Sequence, residues 1–102
     1  MRKRFVYLLF VLSFAACTQN EKKTTSSPAE ILYSKYCKNC HGSEGNLGLS
    51  GASNLMISQI SKEETKEIIK NGQGMMQAFN ELLDDEQIEL LTQYTMRLRK
   101  DN

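Results

Sequence analysis

Cys37-Lys38-Asn39-Cys40-His41 is the stretch on which the reading of this chain turns. It places two thiols and an imidazole within five residues. His41 is the only histidine among 102 residues, and Cys37 and Cys40 are two of three cysteines. A disulfide between them would close too small a loop to stabilise much. A redox dithiol of this spacing sits at a helix N-terminus after a strand, and no stretch here alternates apolar and polar residues as a strand does. A structural zinc site needs four nitrogen or sulfur ligands, which would require recruiting the remote Cys17.

What remains is Cys-x-x-Cys-His as the attachment signature of haem c. Thiols at this spacing reach the two vinyl groups of one porphyrin and form thioethers, and the adjacent His41 is then aimed at the iron. With no second histidine, the other axial ligand must be of another kind, and methionine is the usual alternative. Met1 belongs to the leader, and Met96 lies near Tyr94 and Leu98, where core packing is expected. Met56 is only 15 residues from His41, a tight span around a porphyrin edge. Met75 and Met76 lie 34 and 35 residues away in a glycine-containing loop, and at this level both stay open.

The N-terminus reads as an export signal. Arg2, Lys3 and Arg4 precede an apolar run from Phe5 to Phe14 interrupted only by Ser13, and Ala15-Ala16-Cys17 follows. The run is well short of the ~20 residues a spanning helix needs. Phe14-Ala15-Ala16-Cys17 resembles a bacterial lipobox, with Phe14 where leucine is usual, which implies lipidation of Cys17 as the mature N-terminus. That accounts for the odd cysteine. Residues 1–16 are thus expected to be the signal peptide and 17–26 the lipidated cysteine and a polar tether of roughly 15–18 Å. Residues 27–102 are expected to be the folded domain. Without Arg2, Lys3 and Arg4, the formal charge changes from +1 to about −2, which argues against nucleic-acid binding.

Three helices announce themselves by their caps. Ser27-Pro28-Ala29-Glu30 is a capping box with proline at the first helical position, and Ala29, Leu32, Tyr33 and Tyr36 follow at helical spacing. Ser61-Lys62-Glu63-Glu64 opens a second helix that should stop at Asn71-Gly72. Asp84-Asp85-Glu86-Gln87 opens a third, with a stripe of Ile88, Leu91, Tyr94 and Leu98. Arg97, Arg99 and Lys100 lie near its C-terminus, where the helix dipole favours cations. The intervening loops are rich in glycine. A folded portion of about 75 residues is marginal for one hydrophobic core, so a large apolar cofactor would stabilise it.

Four segments in order, YSKYCKNCHGSEG, GASNL, IIKNGQGMMQAF and DDEQIELLTQYTMRL, resemble a small class I bacterial cytochrome c of the cytochrome c6 and c551 type. The resemblance covers nearly the whole of 28–98. It implies an all-α cytochrome c fold, with three main helices and loops wrapped around one covalent haem c. It places the second axial ligand on Met76, with Met75 the alternative and Gln77 standing where the family usually has proline. It implies a hydrogen bond from His41 Nδ1 to the backbone carbonyl of Ser53, where the family has proline. It also implies that Ala29 and Tyr33 meet Leu91 and Tyr94 where the first and last helices cross. Phe79 is expected to line the haem edge or to serve as a core aromatic.

The function expected is a one-electron carrier rather than an enzyme, exported to the periplasm, anchored through Cys17 and monomeric. It would dock transiently on redox partner proteins. Lys35, Lys38, Lys62, Lys66 and Lys70 are read first as ordinary solvated charges and only second as part of such a docking surface. The alternative is a haem sensor or peroxidase-like enzyme whose methionine ligand is labile, supported only by Gln77.

Overall fold

The computed structural model describes residues 24–100. The signal segment, the lipobox and Cys17 lie outside the described residues. Helix α1 spans Pro28–Tyr36, a short α2 spans Lys38–His41, α3 spans Lys62–Asn71 and α4 spans Asp85–Arg97. A 3-10 turn at Leu49–Gly51 interrupts the long connection between α2 and α3. Among the described residues there is no strand, only an isolated bridge between Gln73 and Met76. This is the all-α architecture of three main helices and loops that the sequence leads one to expect.

Each long helix begins where its capping residues dictate. Ser27, Ser61 and Asp84 accept hydrogen bonds from the backbone N–H of Glu30, Glu64 and Gln87, whose side chains accept in return from the cap N–H groups. Such reciprocal pairs satisfy donors that a helix start leaves free, and losing one costs about 0.5–2 kcal/mol. Helix α3 stops at Gly72, whose φ of +74° suits glycine.

Helices α1 and α4 cross on their apolar faces. Ala29, Tyr33, Ile88 and Leu91 are buried there, and the rings of Tyr33 and Tyr94 stack at 4.7 Å. Burial pushes the Tyr33 phenol well above its ordinary range, so it stays protonated. Its hydroxyl donates to the Gly42 carbonyl at 2.6 Å, which ties α1 to the chain just after His41. Helix α3 packs on α4 from another side, and Lys62 and Lys66 both reach Glu89, at 2.6 and 3.2 Å. These two lysines are therefore engaged with the protein's own carboxylate.

Candidate functional site

Helix α2 carries the Cys-x-x-Cys-His stretch. It starts directly after α1, with the Cys37 carbonyl accepting from the N–H groups of Cys40 and His41 at 3.3 and 2.9 Å. One helical turn thereby brings Cys37, Cys40 and His41 to the wall of one cavity. Cys37 is buried, which pushes its thiol up to about 12 with a smaller contribution from Cys40, whereas Cys40 is exposed; no disulfide joins the two.

The cavity measures about 1060 Å³, at the upper end of the range for cofactor sites. Its apolar wall includes Leu55, Ile68, Ile69 and Phe79. Phe79 is buried and meets Tyr36 edge-on at 5.6 Å, so it belongs to both the core and the cavity wall.

His41 Nδ1 lies 3.0 Å from the Ser53 carbonyl. A carbonyl only accepts, so Nδ1 carries the proton and Nε2 keeps its lone pair as a potential metal donor. The segment bearing Ser53 is held nearby by two backbone bonds, Leu47 N–H to the His41 carbonyl and Leu55 N–H to the Gly45 carbonyl, both 2.8 Å.

The methionine loop forms a second wall. Gln73 and Met76 exchange both backbone hydrogen bonds, at 3.1 and 2.9 Å, around Gly74 and Met75. Gly74 has φ +56°, which a glycine adopts without strain at the first central position of such a two-residue turn. The turn holds Met75 at its tip, 86% exposed. Met76 is half-buried, packs against the core and lines the cavity. Phe79 and Asn80 donate to the carbonyls of Ile69 and Lys70, each at 3.1 Å, and fasten the loop to the end of α3. Gly72 closes the arrangement: a Cβ there would lie 2.5 Å from the Met76 carbonyl oxygen. Met56 and Met96 do not line the cavity.

The donor set fits a haem c. Two thiols at the attachment spacing, an imidazole fixed as the Nδ1–H tautomer, a thioether and an apolar wall all face one space of cofactor size. The arrangement defines a c-type cytochrome of class I.

Comparison with known proteins agrees. The family described as "Cytochrome C oxidase, cbb3-type, subunit III" matches residues 25–94, and the chain belongs to this family of c-type cytochrome domains. Among solved structures, "KustC0563 c-type cytochrome" is 30% identical with a TM-score of 0.63, covering 71% of this chain and 98% of that one. A dihydro-haem d1 dehydrogenase, NirN, is 33% identical with a TM-score of 0.60, over 69% of this chain but only 16% of that one. Cytochrome c6C from Synechococcus sp. PCC 7002 shares the fold, with a TM-score of 0.60 at 23% identity, over 70% of this chain and 93% of that one. No curated protein sequence matches the chain. The chain is a small haem-based electron-transfer protein that holds haem c covalently.

Two features of the site had no signal in the sequence reading. Helix α2 is too short to show periodicity. Arg99, assigned there to the α4 dipole, in fact lines the cavity.

Proposed function

We propose that this protein is a one-electron carrier held at a bacterial membrane surface, with Cys37 and Cys40 bearing the haem thioethers and His41 Nε2 and Met76 Sδ as axial ligands. The haem supplies the one-electron iron couple. The observation that carries the ligand assignment is the contrast between neighbours: Met76 turns inward beside the core while Met75 sits 86% exposed at the turn tip. Ser53 orients His41, and a backbone carbonyl can do this whatever side chain the residue bears.

Gln77 loosens the loop less than its lack of proline suggests. The Gln73–Met76 pair and the bonds from Phe79 and Asn80 hold the backbone on both sides of it. A ligand so held favours a six-coordinate carrier over a sensor or peroxidase-like enzyme. A thioether ligand raises the reduction potential.

Cys17 is proposed as the lipid attachment, and the export signal agrees with periplasmic haem attachment. No helix among the described residues is long and apolar enough to cross a membrane. The partner is proposed to be an oxidoreductase reached by transient docking. The family description and the NirN likeness both set such haem domains beside larger redox enzymes.

The test is a pair of substitutions read by absorption and potentiometry. Met76→Ala should abolish the sulfur-to-iron charge-transfer band and lower the midpoint potential, while Met75→Ala leaves both in place. The opposite pattern would move the ligand by one residue, and carbon monoxide binding to the reduced wild type would overturn the carrier reading.

A further inference from the structure

Four side chains of formal charge line the cavity besides His41: Glu63, Glu64 and Glu67 on α3, and Arg99 just beyond α4. Among the described residues, Arg99 is therefore the only lysine or arginine in that wall. Two of the three glutamates have local partners on α3 or at its cap. Glu64 accepts from the Ser61 N–H at 3.0 Å in its capping box, and Glu67 accepts from the Asn71 amide at 2.9 Å. The ion pairs among the described residues are those of Lys62 and Lys66 with Glu89, so Arg99 has no carboxylate partner there.

Arg99 is nonetheless held in place. Its Nη2 donates to the Thr65 hydroxyl at 3.3 Å, and Thr65 gives its own proton to the Ser61 carbonyl at 2.9 Å, leaving its lone pairs for the guanidinium. The next residue, Lys100, donates its backbone N–H to the Met56 carbonyl at 2.9 Å, which fixes the chain leaving α4. Arg97, by contrast, lies over the Tyr94 ring at 5.6 Å and does not line the cavity. Dipole complementarity at the end of α4 explains Arg97 and Lys100. It does not explain a partly buried guanidinium turned onto an apolar cavity, with most of its five donors available.

A cation so placed calls for an anion. Haem c brings two propionate carboxylates, which three nearby glutamates repel and one guanidinium attracts. We infer that Arg99 is a positioning residue that binds a haem propionate, oriented by Thr65, and that its charge raises the reduction potential. A guanidinium suits a carboxylate because two of its N–H groups can engage both oxygens together. A fixed positive charge near the haem favours the reduced form, which carries one positive charge fewer. This inference rests on the haem occupying the cavity and is independent of which methionine ligates it.

The experiment compares Arg99→Gln, Arg99→Lys and Thr65→Val with wild type as full-length holoproteins. Midpoint potential is read by spectroelectrochemical titration, and the carboxylate bands by redox-difference infrared spectroscopy. Arg99→Gln should shift the oxidised-to-reduced ratio at a fixed applied potential by roughly tenfold toward oxidised, the order one unit charge exerts in a partly screened interior. It should also move a propionate carboxylate band. Arg99→Lys should restore most of the potential, and Thr65→Val should show a smaller change of the same sign. Wild-type potential and bands in Arg99→Gln would overturn the assignment. Should Arg99→Gln fail to accumulate, an unmoved carboxylate band in both Arg99→Lys and Thr65→Val would overturn it instead. Failure of the axial-ligand reading would appear separately, as absence of the sulfur-to-iron band from the wild type.

Discussion

The α1–α4 crossing and the cavity wall are built by opposite means. At the crossing, Tyr33, Ile88 and Leu91 are essentially inaccessible, and regular helices satisfy their own backbone. The opposite side is made of glycine-bearing loops closed by single backbone bonds, with Leu49 and Met75 exposed at the rim of a large cavity. One half stands on side-chain packing. The other is a frame whose apolar surface is completed only by its cofactor. The comparison teaches that the haem in this protein is a structural element as well as a redox centre, as expected of a domain near the size limit for one core.

The strongest way to break that contrast is to remove the attachment. Cys37→Ala combined with Cys40→Ala should leave a poorly folded, protease-sensitive chain, with limited proteolysis entering 42–60 and 72–82 before α1 or α4. A stable apo-domain with cooperative unfolding and protected loops would show that the frame needs no filling.

The two halves should also fail differently. Leu91→Ala opens a hole in the fully buried crossing and should cost about 2–5 kcal/mol in denaturant unfolding, with the sulfur-to-iron band retained. Gly72→Ala forces a Cβ against the Met76 carbonyl at a φ of +74°, and should cost about 1–3 kcal/mol. It should also weaken that band, because the displaced backbone is the one that carries Met76. If both variants lowered stability and left the band intact, the methionine wall would be more tolerant than its contacts indicate.

The smallest effect concerns the α3–α4 seam. Hydrogen bonds from Lys62, Gln93 and Lys66 hold the Glu89 carboxyl at about 2, below its ordinary 4.5. A carboxylate favoured by folding contributes its stability in full above the unfolded value and loses it as pH falls from about 4.5 toward 2. Glu89→Gln should therefore raise the pH of acid unfolding slightly and lower the neutral-pH melting temperature little, because surface pairs are weak. A large loss at neutral pH would mean that the seam carries more of the fold than packing suggests.

Much of this architecture was legible because its causes are local. A capping box spans four residues, so Ser27 with Glu30, Ser61 with Glu64, and Asp84 with Gln87 mark their helices in the sequence as they do in the structure. The cysteine pair and His41 likewise reach one cavity because a single turn suffices. Ser50, with φ 54° in the cavity wall, gave no such signal, since nothing in its neighbours requires a left-handed serine. Glu89 stands 23 and 27 residues from Lys66 and Lys62, too far for a sequence pattern to join them.

By itself, then, the amino-acid sequence determined the cofactor chemistry and the helix starts, because each depends on residues within one or two turns of chain. Only the tertiary structure separated the two methionines by environment, Met76 packed against the core and Met75 exposed at the tip, since that follows from a turn around Gly74 pinned against α3. It alone turned Arg99 inward, because that depends on Thr65 and Met56, 34 and 43 residues away. Attachment is a property of five consecutive residues; the environment that tunes it is assembled from both ends of the fold.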